Sequence, residues 1–79
     1  MPQVMSPEAA KNEQAGQDAA VRIYGLMWAY NGADIRQSAT HLYHYWAVLG
    51  DAAHAEFGAG FRRAADLLAM KRDAVEVVA

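Results

Sequence analysis

The chain has no cysteine among its 79 residues. That excludes a disulfide-stapled secreted miniprotein, thiolate metal sites and cysteine nucleophiles. Proline occurs only twice, both within the first seven residues, so nothing interrupts helices further on. No segment approaches the roughly 18 uninterrupted apolar residues of a membrane span. The stretch MPQVMSPEAAKNEQ has no basic region followed by an apolar run. A signal peptide is not expected, and the cytoplasm is the expected location. Charge of one sign is also scarce. A formal charge of −2 gives no overall attraction to nucleic acid and is too small to imitate DNA.

Apolar residues are plentiful, at 54% against 20% charged. A chain of this size buries only about 60% of its unfolded surface. More apolar surface is present than a small monomer easily hides, so a homodimer or a tight complex with a larger protein is expected.

Alanine abounds and alternation of period two is nearly absent, which predicts an all-α fold. The expectation is a single helical domain over 1–79, with residues 1–5 frayed. It is a compact bundle of three main helices, at about 17–31, 35–49 and 52–75, with a possible short N-terminal helix at about 7–15. Ser6-Pro7-Glu8 is a helix start: a capping serine, a proline at the first position, an acid in the first turn. Gly16 either ends a short first helix or sits inside a longer one. Asn31-Gly32 suits a left-handed stop. Asp34 with Gln37 resembles a capping box opening the next helix. Gly50 ends that helix and Asp51 caps the last. The tail AVEVVA is too short to assign to helix or strand.

At 100° per residue, Ile35, Ala39, Leu42, Trp46 and Leu49 form the core stripe of the middle helix. Tyr43 and Tyr45 flank that stripe, while Gln37, His41, His44 and Val48 face the other way. In the last helix the stripe is Phe57, Phe61, Ala64, Leu68 and Val75, with Lys71 snorkelling from it. Arg62 and Asp66 form a candidate i, i+4 pair on the outer face. From Ala19 to Tyr30 the chain is apolar almost all round, so Ile23, Leu26, Met27 and Tyr30 are the expected oligomer interface. Gly25 with Ala29, and Gly58 with Gly60, permit a close helix crossing.

Chemistry-bearing motifs are few. His41 and His44 could share an ion, but no third and fourth ligand stands near them in sequence, and no HExxH or ExxH occurs. The only serines are Ser6 and Ser38, without a nucleophile elbow. GAGF lacks the preceding strand and third glycine of a dinucleotide fingerprint. No paired carboxylates suit general acid/base work. No catalytic residue, metal or cofactor is expected.

Two function classes remain. Two helices joined through a glycine-containing turn outline a helix-turn-helix DNA-binding regulator. Arg36, Gln37, Thr40, His41 and His44 would then reach bases or phosphates. The turn does not follow the usual pattern, since Ser38 and His41 stand where aliphatics belong. The preferred expectation is a non-enzymatic interaction protein that binds a larger partner and blocks or adapts it. Arg36, Gln37, Thr40, His41, Tyr43 and His44 form the partner-binding face, in a chain rich in the aromatics and methionines that interfaces favour. Its size class is that of phage and mobile-element inhibitors such as anti-CRISPR proteins.

Overall fold

A computed structural model describes residues 6–26 and 30–78, with side chains through residue 75. Three helices make up the all-α bundle: α1 (Pro7–Tyr24), α2 (Gly32–Leu49) and α3 (Ala52–Val78). At 1.5 Å per residue the 27 residues of α3 span about 40 Å. That length sets the long axis of the 43 × 27 × 20 Å molecule. α1 runs parallel to α3 and α2 antiparallel to it, while α1 and α2 barely touch each other. α3 is therefore the shared support for both.

The caps follow local chemistry. Ser6 accepts a hydrogen bond from the Ala9 amide, with Pro7 at the first helical position and Glu8 in the first turn. Asn31 and Asp34 close a reciprocal capping box on α2. The box lies one turn earlier than the expected Asp34–Gln37 pair. Asn31-Gly32 consequently opens α2 instead of terminating α1, because the amide oxygen of Asn31 takes the Asp34 N–H. Gly50 adopts φ 80° and ends α2, the one left-handed residue among those described. Asp51 directs its carboxylate to Nδ1 of His54, 2.6 Å away. That hydrogen bond holds the Asp51 carboxyl below its usual range. The segment AVEVVA continues α3 as helix to Val78.

α1 is one helix, so the expected division into 7–15 and 17–31 is corrected. Gly16 lies inside α1 where it crosses α3. A Cβ on Gly16 would sit 2.8 Å from the Phe61 amide nitrogen and 2.9 Å from the Phe57 carbonyl carbon. One on Gly60 would sit 2.7 Å from the Glu13 carbonyl carbon. The two glycines remove side chains from both sides of one contact and let the backbones meet. The pair Gly25 and Ala29 does not serve this purpose. Gly25 caps the end of α1 in right-handed geometry, and Ala29 lies outside the described residues. At Gly58 an added Cβ would meet only Tyr43 and Trp46 side-chain atoms, at 3.4 Å and beyond.

The interior is small and alanine-rich: Ala20, Tyr24, Ile35, Ala39, Phe61, Ala64, Ala65 and Ala69 are buried. Leu42, Trp46, Phe57 and Leu68 pack against it, half-buried. The two expected stripes hold except at their last members. Leu49 and Val75 are 50% and 64% exposed, because neither helix end is overlaid by a neighbour. Lys71 is exposed at the stripe's edge. Arg62 does not take Asp66 as partner; its guanidinium lies 5.0 Å from the Tyr43 ring centroid.

Polar ties fix the helices around this core. Glu13 is buried and paired with Arg63 across the α1–α3 crossing. The pair lacks hydrogen-bond alignment, so Oε1 of Glu13 has a charge partner but no donor. Nearby, Asn12 Nδ2 donates to Glu56 at 3.0 Å. At the other end Arg72 donates to the carbonyls of Tyr24 and Tyr30, at 3.0 and 2.7 Å. It thereby holds both ends of the α1–α2 connection to α3. Tyr24 and Ser38 share a 2.7 Å hydroxyl hydrogen bond, which joins α1 to α2.

Burial raises the Tyr24 phenol above its ordinary value near 10, with the Ser38 bond opposing the shift. The neutral phenol is thus favoured in the folded state. Its contribution to stability is complete below the unfolded tyrosine pKa and is lost as pH rises through the folded value. Tyr24→Phe should cost about 1 kcal/mol at neutral pH through the lost hydrogen bond. It should also shallow the alkaline loss of stability. Denaturant titrations at neutral and alkaline pH check both parts, and an unchanged alkaline slope would remove Tyr24 as its source.

Candidate partner-binding face

The candidate site lies on the side of α2 turned away from α3. α2 places Ile35, Ala39, Leu42 and Trp46 toward the core. Side chains half a turn away must therefore face outward. Gln37, His41, His44, Tyr45 and Val48 fall within about 100° of arc. All five are exposed, Tyr45 at 62% and Val48 at 84%. Thr40 borders them and is also exposed. α2 is capped at both ends and packed along α3.

The six residues expected to bind a partner separate into two groups. Gln37, Thr40, His41 and His44 share the outward face. Arg36 and Tyr43 turn toward α3. Arg36 forms a 2.6 Å ion pair with Asp73, both side chains about half exposed. Tyr43 is half-buried beneath Arg62, and its ring meets the edge of His44 with centroids 6.0 Å apart. It links the outward face to the α2–α3 contact. Tyr45 and Val48 are the members that pattern reading missed. Tyr45 is expected at the core's border, yet its azimuth lies about 40° from His41 and about 60° from Leu42. Val48 falls on the outward side by periodicity, as expected, but carries no polar group that would mark it as a binding residue.

An open cleft of about 580 Å³ adjoins this face, lined by Tyr30, Asp34, Gln37, Ser38, His41 and Leu42. It lies between Tyr30 and the first three turns of α2. Its polar groups are a carboxylate, an amide, an imidazole and two hydroxyls. Among the described residues no three metal-capable groups converge anywhere. The hydroxyls of Tyr24 and Ser38 are bonded to each other, and burial raises the Tyr24 phenol still further above its ordinary value, which makes it a poor base near neutral pH.

The residues expected to form an oligomer interface lie at the end of α1 and beyond it. Ile23, Leu26 and Tyr30 are 39%, 76% and 36% exposed. Met27 lies outside the described residues. The all-round apolar stretch is not a continuous helix, since α1 stops at Tyr24. No described helix is long and apolar enough to cross a membrane. Comparisons with protein-family models, with curated proteins and with solved structures give no match.

Proposed function

We propose that this chain is a non-enzymatic interaction protein that lays the outer face of α2 on a larger protein and so blocks or adapts it. The observation that supports the reading is the exposed cluster of Tyr45 and Val48 beside His41, His44 and Gln37 on one helix. Exposed aromatic and aliphatic groups ringed by hydrogen-bonding side chains are what a protein interface centre and rim require. The complementary surface would be apolar at its middle, with acceptors for the imidazoles, the amide and the phenol. The Tyr30–His41 cleft would receive a protruding side chain of that partner. The size class is that of phage and mobile-element inhibitors such as anti-CRISPR proteins, and a cytoplasmic setting goes with it.

DNA binding draws less support from the geometry. A helix-turn-helix needs its first helix packed on the second, whereas α1 and α2 barely touch. Arg36, Arg62, Arg63 and Arg72 are already occupied by Asp73, the Tyr43 ring, Glu13 and two carbonyls.

A photo-crosslinking residue at position 48 should capture one specific protein in cells that express the chain. The same residue at Ala59, exposed on α3, should not. Val48→Asp should weaken the captured complex by about 2 kcal/mol or more, as for a hot-spot position. Its circular dichroism should remain that of the parent. Equal capture from both positions, or an unaffected complex, would reject this face.

A further inference from the structure

A second exposed apolar set runs along α3, independent of the α2 face. Leu67 and Met70 are 56% and 61% exposed, and Ala74 is exposed as well. Their spacing of three and then four residues is that of a, d and a positions in a heptad. The seam starts one turn beyond Arg63, which is committed to Glu13. Val21 of α1, 54% exposed, adjoins its first member across a shallow groove that also takes in Lys71. In this register Asp66 occupies a g position and Lys71 an e position. They stand about 70° to either side of the seam. Both are exposed, and neither forms an ion pair among the described residues.

We propose that two copies of this chain form a parallel, two-fold dimer, α3 against α3, along Leu67, Met70 and Ala74. Charge complementarity selects both the occupant and its direction. In a parallel pair, a g residue meets the e residue five positions later on the partner helix. Asp66 of each copy then meets the second copy's Lys71, twice by symmetry. In an antiparallel pair g meets g and e meets e, which sets like charges together. The parallel dimer leaves the outer face of α2 open, so it would offer that face twice.

Sedimentation analysis of the full chain, with circular dichroism of each variant, tests this arrangement. The parent should be dimeric. Leu67→Glu should be monomeric with unchanged helicity. Asp66→Lys and Lys71→Glu should each weaken the dimer about tenfold, by turning two attractive contacts repulsive. The double variant D66K/K71E should regain parental affinity. A parent that is monomeric at millimolar concentration overturns the proposal. So does a dimer that survives Leu67→Glu, which would point to the Ile23, Leu26 and Tyr30 end of α1. A double variant no tighter than the single ones overturns the parallel arrangement.

Discussion

Gly60→Ala should destabilise this protein by about 3 kcal/mol, although the same change in most helices is favourable. Alanine is preferred over glycine in a helix interior by about 1 kcal/mol, so propensity alone predicts a gain. The opposite sign follows from what occupies the space. A Cβ at Gly60 would lie 2.7 Å from the Glu13 carbonyl carbon and 3.0 Å from its Cα. These are backbone atoms, so no side-chain rotation relieves the overlap. α1 would have to move as a body. It is held at one end by Asn12 with Glu56 and Glu13 with Arg63, and at the other by the Arg72 bond to the Tyr24 carbonyl. Relief must therefore break polar ties or separate the alanine-rich layer, and overpacking of this kind costs about 1–3 kcal/mol or more.

Gly58→Ala supplies the control. It lies two residues away in the same helix, where a Cβ would meet the Tyr43 and Trp46 side chains at 3.4 to 3.8 Å. That is ordinary contact with groups that can adjust, so a change between neutral and about 1 kcal/mol stabilising is expected. Urea denaturation of both variants, at one chain concentration, separates the effects. A Gly60→Ala variant as stable as the Gly58→Ala one would show that α1 and α3 do not meet through their backbones at this point.

Much of the fold could be read from the sequence because much of it is local. Ser6-Pro7-Glu8 and Gly50 perform their expected tasks through atoms within one turn. The inward stripe from Ile35 to Trp46 follows from helical periodicity alone. What could not be read depends on which helices meet. Gly16 looks like a helix breaker until Phe57 and Phe61 are seen against it. Asn31-Gly32 carries equal local signals for a stop and a start, and the connection held by Arg72 makes it a start. The site was partly legible for the same reason. Gln37, Thr40, His41 and His44 face outward by periodicity. Arg36 and Tyr43 are drawn toward α3 by Asp73 and Arg62, residues far along the chain. Tyr45 and Val48 gain significance only once α1 is found not to cover α2.

Phe61→Ala should be the other severe substitution, because Phe61 joins two helices that barely touch one another. It is fully buried. Its ring centroid lies 4.9 Å from Trp46 on α2, 5.6 Å from Tyr24 on α1 and 6.5 Å from Phe57 in its own helix. The first two are steeply tilted contacts, an arrangement that adds to the area buried. Most other members of the core are alanines, which cannot extend into a vacated ring site. A buried Phe→Ala change costs about 3–5 kcal/mol. At about 0.05–0.15 kcal/mol per residue, the whole fold is worth about 4–12 kcal/mol. The variant should therefore lose about a quarter or more of the fold's stability, with a lowered denaturation midpoint at which Trp46 is released into solvent and its fluorescence shifts to the red. Phe61→Leu retains most of the volume and should cost about 1.5 kcal/mol, leaving a cooperative transition. If alanine and leucine cost the same, the loss would lie in ring–ring geometry and not in the cavity. If neither matters, α1 and α2 must be coupled by the Tyr24–Ser38 bond, which Tyr24→Phe would then expose as the larger effect.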